Sequence, residues 1–157
     1  MMRKPPEPDQ PSPEHQRPDG IDDATITALG SLSEALEAVE EARGHLYAFH
    51  RLTGRGDLTL GRAVDELRDA GHRELADELA ELLVGRNVLH GRWTFQIVEE
   101  YDDGYYATFR RLEAQARDRL VDGRRHLFEA EMKEDRRTAG TPHHEAVPPE
   151  FGHRDGF

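Results

Sequence analysis

Four carboxylates stand at spacings that could hold a metal ion. Glu37 and Glu40 form an E-x-x-E pattern, and Glu74 and Asp77 form an E-x-x-D pattern. Because side chains three residues apart share one face of a helix, two such pairs on facing helices could bind Mg²⁺ through several oxygens and leave positions for water and phosphate. One alternative is therefore a Mg²⁺-dependent all-α hydrolase of nucleotides or phosphate esters, with these four residues as catalytic and metal-binding groups.

The two pairs resemble those of the all-α nucleotide pyrophosphatases of the MazG kind. That family carries a double glutamate ahead of its first pair, and its pairs are closer together than Glu40 and Glu74 are here. Two four-residue patterns are too little to assign a family. By helix periodicity Glu37 also points away from the apolar stripe that contains Leu46. Since charges at such positions are usually solvated, the sequence favours an acidic helix surface, with no metal and no resident cofactor.

Aromatic residues are concentrated in HGRWTFQIVEEYDDGYYATFRR (90–111), which holds six of the eleven Phe, Trp and Tyr residues. On a helix with about 100° per residue, Tyr105 and Leu112 fall on one apolar stripe. Phe95 and Tyr106 lie nearer the polar side. We expect the stripe to form core, and Phe95 and Tyr106 to contribute to a second contact surface.

Charges of opposite sign are concentrated in two other parts of the chain. Six arginines face three acids between positions 109 and 126, and eight acids face three arginines between positions 57 and 81. Because opposite fields attract, we expect them to pair within one subunit or between subunits. The candidates for interaction are Phe95, Tyr106, Arg110, Arg117 and Arg124.

The composition excludes several classes of function. The chain has 157 residues, no cysteine and a formal net charge of −11. The lack of cysteine excludes disulfides and thiolate chemistry, and the acidic charge opposes binding to nucleic acid. No stretch approaches the ~18 apolar residues of a membrane span, and the first twenty residues lack the apolar core of a secretory signal. We therefore expect a cytoplasmic protein that binds neither membranes nor nucleic acid.

Catalytic motifs are missing from the sequence. None of the patterns G-x-x-x-x-G-K-[ST], G-x-G-x-x-G, H-E-x-x-H and G-x-S-x-G occurs. His50 lies on the apolar stripe of the first predicted helix, where a packed histidine with one hydrogen bond is the commoner role. The sequence thus favours a non-enzymatic protein that works through self-association or by binding a protein partner.

The prolines delimit the predicted domain. Six of the nine lie in 5–18, and the other three lie beyond position 141. The segments 1–20 and 141–157 are rich in Pro and charged residues and poor in apolar ones, so they are predicted to be disordered tails. One domain is expected between them, at 21–140.

Apolar residues at three- and four-residue steps predict an all-α helical bundle. The predicted elements are two long helices at 31–53 and about 92–135 and a short helical pair at 59–70 and 72–84. The first helix begins at the capping pattern of Ser31 and is ended by Gly54 and Gly56, and Gly104 or Gly123 could kink or break the last one. Because the last helix would overhang the first, its stripe from Leu120 to Leu127 must be buried by a fold-back or by a second chain. A homodimer is therefore expected.

Overall fold

The structure is a computed structural model that describes residues 9–148. After a 3₁₀ turn at Pro13–His15, the elements are α1 (Asp23–Asp69), α2 (Arg73–Leu82), α3 (Thr94–Tyr101), a π-helical turn (Asp102–Tyr106), α4 (Ala107–Val121) and α5 (Leu127–Arg136). No β-strand occurs between positions 9 and 148, so the all-α class predicted from the sequence is confirmed. None of these helices is both long and apolar enough to cross a lipid bilayer.

The described residues divide into two compact units. The terminal unit contains 9–35 and 112–148, and the central unit contains 36–111. Each unit has its own buried residues and its own polar contacts. The single domain expected over 21–140 stays a prediction.

Helix α1 runs without interruption over Asp23–Asp69. The sequence predicts two helices here, 31–53 and 59–70, so the helix end predicted at Gly54 and Gly56 is wrong. Neither glycine has a positive φ. A glycine inside a helix costs only about 1 kcal/mol relative to alanine. Burial of the apolar residues that continue at helical spacing on both sides of Gly54 and Gly56 outweighs that cost.

The start of α1 also differs from the prediction. The sequence places it at the capping pattern of Ser31, but the helix begins eight residues earlier. The side chain of Asp22 accepts a hydrogen bond from the backbone N–H of Thr25 at 2.8 Å. An aspartate in this position satisfies one of the free N–H groups of the first helical turn, so the earlier start is capped.

The helix predicted over 92–135 is interrupted twice. The π-helical turn contains Gly104, and the second break follows Val121. In that break Gly123 has a φ of +72°, a left-handed conformation that glycine adopts without steric cost. The chain reverses there, and α5 begins at Leu127.

The π-helical turn changes which tyrosine is buried. The backbone N–H of Ala107 bonds to the carbonyl of Asp102, five residues earlier. Such a turn contains one residue more than an α-helical turn, so the inward face moves by one position. Tyr106 is consequently buried, at 9 % exposure, while Tyr105 is 58 % exposed. The predicted places of Tyr105 on the apolar stripe and of Tyr106 near the polar side are therefore wrong.

The same displacement of one position continues along α4. Leu112 belongs to the stripe predicted from α-helical spacing, but it is exposed and Glu113 is buried. Further on, Leu120 is exposed and Val121 is buried. A helix period of 3.6 residues cannot anticipate one inserted residue, which rotates every later side chain by about 100°.

The core of the terminal unit forms by a fold-back. Its buried cluster contains Ile26, Leu29, Val121 and Leu127, so α5 and the end of α4 pack on the start of α1. This fold-back buries Val121 and Leu127, which removes most of the overhang from which the homodimer was inferred. The overhang is therefore no longer a reason to expect a dimer.

A close approach brings α5 against α1 in this unit. A Cβ atom built on Gly30 would lie 3.0 Å from Cγ of Phe128. Such a contact is shorter than the van der Waals distance between carbon atoms. Only glycine at this position lets the Phe128 ring rest directly on the helix backbone.

Part of each predicted tail contacts α5. Arg17 binds Glu131 through two hydrogen bonds of 2.8 and 2.7 Å. Arg137 binds Asp9, and Asp9 also accepts the backbone N–H of Ala146 at 2.8 Å. The backbone N–H of Ala146 and the Arg137 guanidinium hold the pKa of Asp9 below its usual value.

These contacts involve the segments 9–20 and 141–148 of the predicted tails. The remaining segments, 1–8 and 149–157, lie outside the described residues.

A buried ion pair lies in the same unit. Glu113 accepts two hydrogen bonds from Arg117, at 2.7 and 2.9 Å, and one from the Ser33 hydroxyl at 3.2 Å. The Glu113 side chain is 6 % exposed. The Arg117 guanidinium lowers the pKa of Glu113 below its ordinary value, because it stabilises the charged carboxylate.

We expect opposite effects from alanine at two glycines of α1. Gly44 has open space around it, so Gly44→Ala should raise the free energy of unfolding by about 0.5–1 kcal/mol through helix propensity. Gly30→Ala gains the same propensity but presses on Phe128, and overpacking of this kind costs about 1–3 kcal/mol. Urea denaturation of both variants measures the difference. Equal stabilisation by both would contradict the close approach of α5.

Replacing the buried carboxylate should destabilise the chain in a pH-dependent way. Glu113→Gln leaves Arg117 without its counter-charge, and losing one partner of a buried pair costs about 3 kcal/mol. Because folding lowers the pKa of Glu113, its contribution is complete above the unfolded value of 4.5 and is lost as the pH falls through the lower folded pKa. Denaturation at pH 7 and at acid pH should therefore show a gap that closes in acid. A gap independent of pH would rule out the ionised pair.

Candidate functional site

An open apolar groove lies in the central unit. Its walls come from α1 between Thr53 and Leu60, from the segment between Leu83 and Val88, and from Trp93 at the start of α3. Its volume is about 870 Å³. Cavities of this size and lining are typical of binding sites in proteins.

Two hydrogen bonds to Gly85 hold the groove walls together. The Gly85 N–H donates to the Asp57 carboxylate at 2.7 Å, which ties the segment after α2 to α1. The indole N–H of Trp93 donates to the Gly85 carbonyl at 3.2 Å, which ties the same segment to α3. Gly85 has a φ of +70°, so the turn needs a glycine. The groove is thus formed before any ligand or partner enters it.

The start of α3 is fixed from two sides. The backbone N–H of Trp93 donates to the Gln96 side chain at 2.8 Å. His50 Nδ1 lies 2.7 Å from the hydroxyl of the buried Thr94. His50 therefore has the packed role with one hydrogen bond that the sequence favours, and it positions the helix beside the groove.

A cluster of polar and aromatic side chains surrounds the π-helical turn. The Arg43 guanidinium binds Asp102 through two hydrogen bonds of 2.7 and 2.9 Å. Its carbon lies 4.6 Å from the ring centre of Tyr106 and 5.0 Å from that of Tyr47. The Tyr106 hydroxyl donates to Glu40 at 2.7 Å. Arg43 is thus held by a carboxylate and by two aromatic faces.

The electrostatics of this cluster suit a structural clamp. The hydrogen bonds from Arg43 lower the pKa of Asp102. The hydrogen bond to Glu40, together with burial, raises the pKa of Tyr106. Asp102 is therefore held charged and Tyr106 neutral at pH 7, which makes neither a proton carrier near that pH.

The five interaction candidates lie in both units. In the central unit Phe95 is half exposed on α3, and the Arg110 guanidinium carbon lies 5.6 Å from the Tyr106 ring centre. In the terminal unit Arg117 is paired with Glu113, and Arg124 donates to the backbone carbonyl of Gln16 at 2.6 Å. Among the five, Arg110 and Tyr106 are in contact with each other.

The four carboxylates of the alternative metal site have different surroundings. Glu40 accepts the Tyr106 hydroxyl, and Asp77 is paired with Arg68 at 3.0 Å. In the described part of the chain, no group of three or more His, Asp or Glu side chains is placed to hold a metal ion. The geometry therefore gives no support to a hydrolase built on Glu37, Glu40, Glu74 and Asp77.

The groove does not follow from the sequence patterns. They place a helix end at Gly54 and Gly56, which separates the residues that form one wall. One signal is nevertheless present in the sequence. Leu58 lies about 120° from the apolar stripe of α1 by helix periodicity, and an apolar side chain on the polar side of a helix can indicate a contact surface.

Comparison of the chain with protein families, with curated proteins and with solved structures gives no match. Function therefore has to be argued from the geometry of the chain itself.

Removing the Glu40 charge should make Tyr106 easier to ionise. Glu40→Gln replaces the carboxylate that raises the Tyr106 pKa by an amide, so this pKa should fall towards the ordinary value of 10. Ultraviolet absorbance of the tyrosinate, taken as the difference from a Tyr106→Phe background, measures it. Glu41→Gln, at the exposed neighbouring residue, is the control and should leave the titration unchanged. An unchanged titration in Glu40→Gln would contradict the bond.

Proposed function

We propose that this chain acts by self-association through the central unit. The observation that carries the proposal is the exposure of large apolar side chains beside the groove. Leu58 on the groove rim is 78 % exposed. In the other walls Leu83 and Trp93 are 49 % and 44 % exposed. An apolar patch around a groove is typical of a protein contact surface.

Burial of these side chains supplies a driving force for association. Each leucine transferred from water into an interface contributes about 1.5–3 kcal/mol. Trp93 adds a large ring whose N–H is already bonded to Gly85, so its burial leaves no donor unsatisfied. Tryptophan is also among the residues enriched at energetic centres of interfaces.

The rigid walls of the groove favour the same proposal. The hydrogen bonds that Gly85 donates to Asp57 and accepts from Trp93 fix three segments of the central unit before association. A preformed surface loses little conformational entropy on binding, so more of the burial free energy remains as affinity. The polar groups around the π-helical turn are engaged with one another, so they do not favour catalysis.

A charge placed on the groove rim should abolish self-association. Leu58→Asp introduces a carboxylate that would have to be desolvated, so the dissociation constant should rise at least about tenfold. Sedimentation velocity at micromolar concentrations measures it. The matched control is Leu120→Asp, which alters an exposed leucine of the terminal unit and should leave association unchanged. A wild-type chain that remains monomeric throughout this range would overturn the proposal.

A groove-filling variant separates association from folding. Gly54 lines the groove, and a Cβ atom there meets no neighbour within 4 Å. Gly54→Leu should therefore raise helix stability while occupying the space that a second copy would use. We expect a higher melting temperature together with weaker association. Association at wild-type strength would show that the groove is not part of the interface.

A further inference from the structure

One face of α1 is basic and exposed. At about 100° per residue, Arg51, Leu58 and Arg62 fall within about 40° of one another, and Arg55 lies about 60° from Leu58. All four side chains are exposed. Within residues 9–148, none of the three arginines forms an ion pair. We name this surface the basic face of α1.

One face of α2 is acidic and also exposed. Around the helix axis, Glu74 and Glu81 lie within about 60° of Glu78 on one side. Leu75 and Leu82 lie within about 60° of it on the other side. All five side chains are exposed. In the described part of the chain these three glutamates form no ion pair. We name this surface the acidic face of α2.

The contact between α1 and α2 inside one chain uses other residues. Arg68 of α1 binds Asp77 of α2 at 3.0 Å. The buried positions are Val64 on α1 and Ala76 on α2. By helix periodicity the basic face lies at least about 120° from Val64, and Glu78 lies about 160° from Ala76. The two charged faces are therefore directed away from the buried positions, and their charges remain available to another molecule.

We propose that the basic face of α1 in one copy docks on the acidic face of α2 in a second copy. This inference rests on the proposed self-association and names the surfaces that carry it. Arginine and glutamate are complementary in charge, and the leucines of both faces supply apolar contact between them. Leu58 is shared by the basic face and the groove rim, so docking on this face also covers the groove.

A second copy fits these surfaces better than a partner of one charge. The central unit presents both signs side by side, so a purely acidic or purely basic partner would be repelled by one of the two faces. The chain itself carries each face together with its complement. Its net charge of −11 opposes association at long range, and local pairing of arginines with glutamates relieves that repulsion.

Charge reversal in two separate variants provides the test. The first variant is Arg55→Glu with Arg62→Glu, and the second is Glu74→Arg with Glu78→Arg. Each variant alone places like charges on both faces, so its dissociation constant should rise by at least roughly tenfold. An equal mixture of the two again pairs opposite charges and should associate with wild-type affinity. Sedimentation velocity on each sample, with far-ultraviolet circular dichroism to confirm helicity, measures both results.

The control has the same change of charge elsewhere. Arg119→Glu with Arg125→Glu alters exposed arginines of the terminal unit and should leave association unchanged. If the mixture fails to associate while wild type still does, the pairing of these faces is overturned. If Leu58→Asp still abolishes association when the mixture fails, self-association through the groove stands and only the pairing of the two charged faces is lost. Weakened association in the control would overturn the proposal as well, because it would show an effect of net charge alone.

Discussion

The ion pair between Arg43 and Asp102 holds the π-helical turn against α1, and the burial pattern of the following residues depends on that turn. Arg43 reaches the carboxylate at the first residue of the turn and the ring of Tyr106 at its last. Both ends of the π-helical turn are therefore held by the Arg43 side chain. The inward position then passes from Tyr105 to Tyr106, and in α4 from Leu112 to Glu113.

A buried glutamate is one consequence of this register. Glu113 takes the inward position that Leu112 would have in an uninterrupted α-helix. Its burial is tolerated because Arg117 and Ser33 donate hydrogen bonds to both carboxylate oxygens. The displaced leucines are exposed instead. The burial of Glu113 and the exposure of these leucines therefore have one geometric origin in α4, and hydrogen bonds compensate the buried carboxylate.

The central unit differs, since its exposed leucines do not follow from a change of register. Leu58 projects from the middle of a regular helix, and Leu75 and Leu82 project from α2. Their neighbours on the same faces are arginines on one helix and glutamates on the other. Apolar contact and complementary charge thus occur together, the combination by which interfaces obtain both affinity and selectivity. This is why the proposed role lies in association.

By itself the sequence determined the helical class and the position of α2, and it indicated Gly104 and Gly123 as places where the last predicted helix could break. Apolar spacing and glycine placement act over a few residues, so they can be read locally. It also indicated that His50 would be packed. Only the tertiary structure decided that α1 passes through Gly54, that α5 folds back onto Gly30, and that Tyr106 is buried in place of Tyr105. Each of these depends on partners distant in sequence, such as Phe128 for Gly30 and Arg43 for Asp102, and local periodicity contains no information about them.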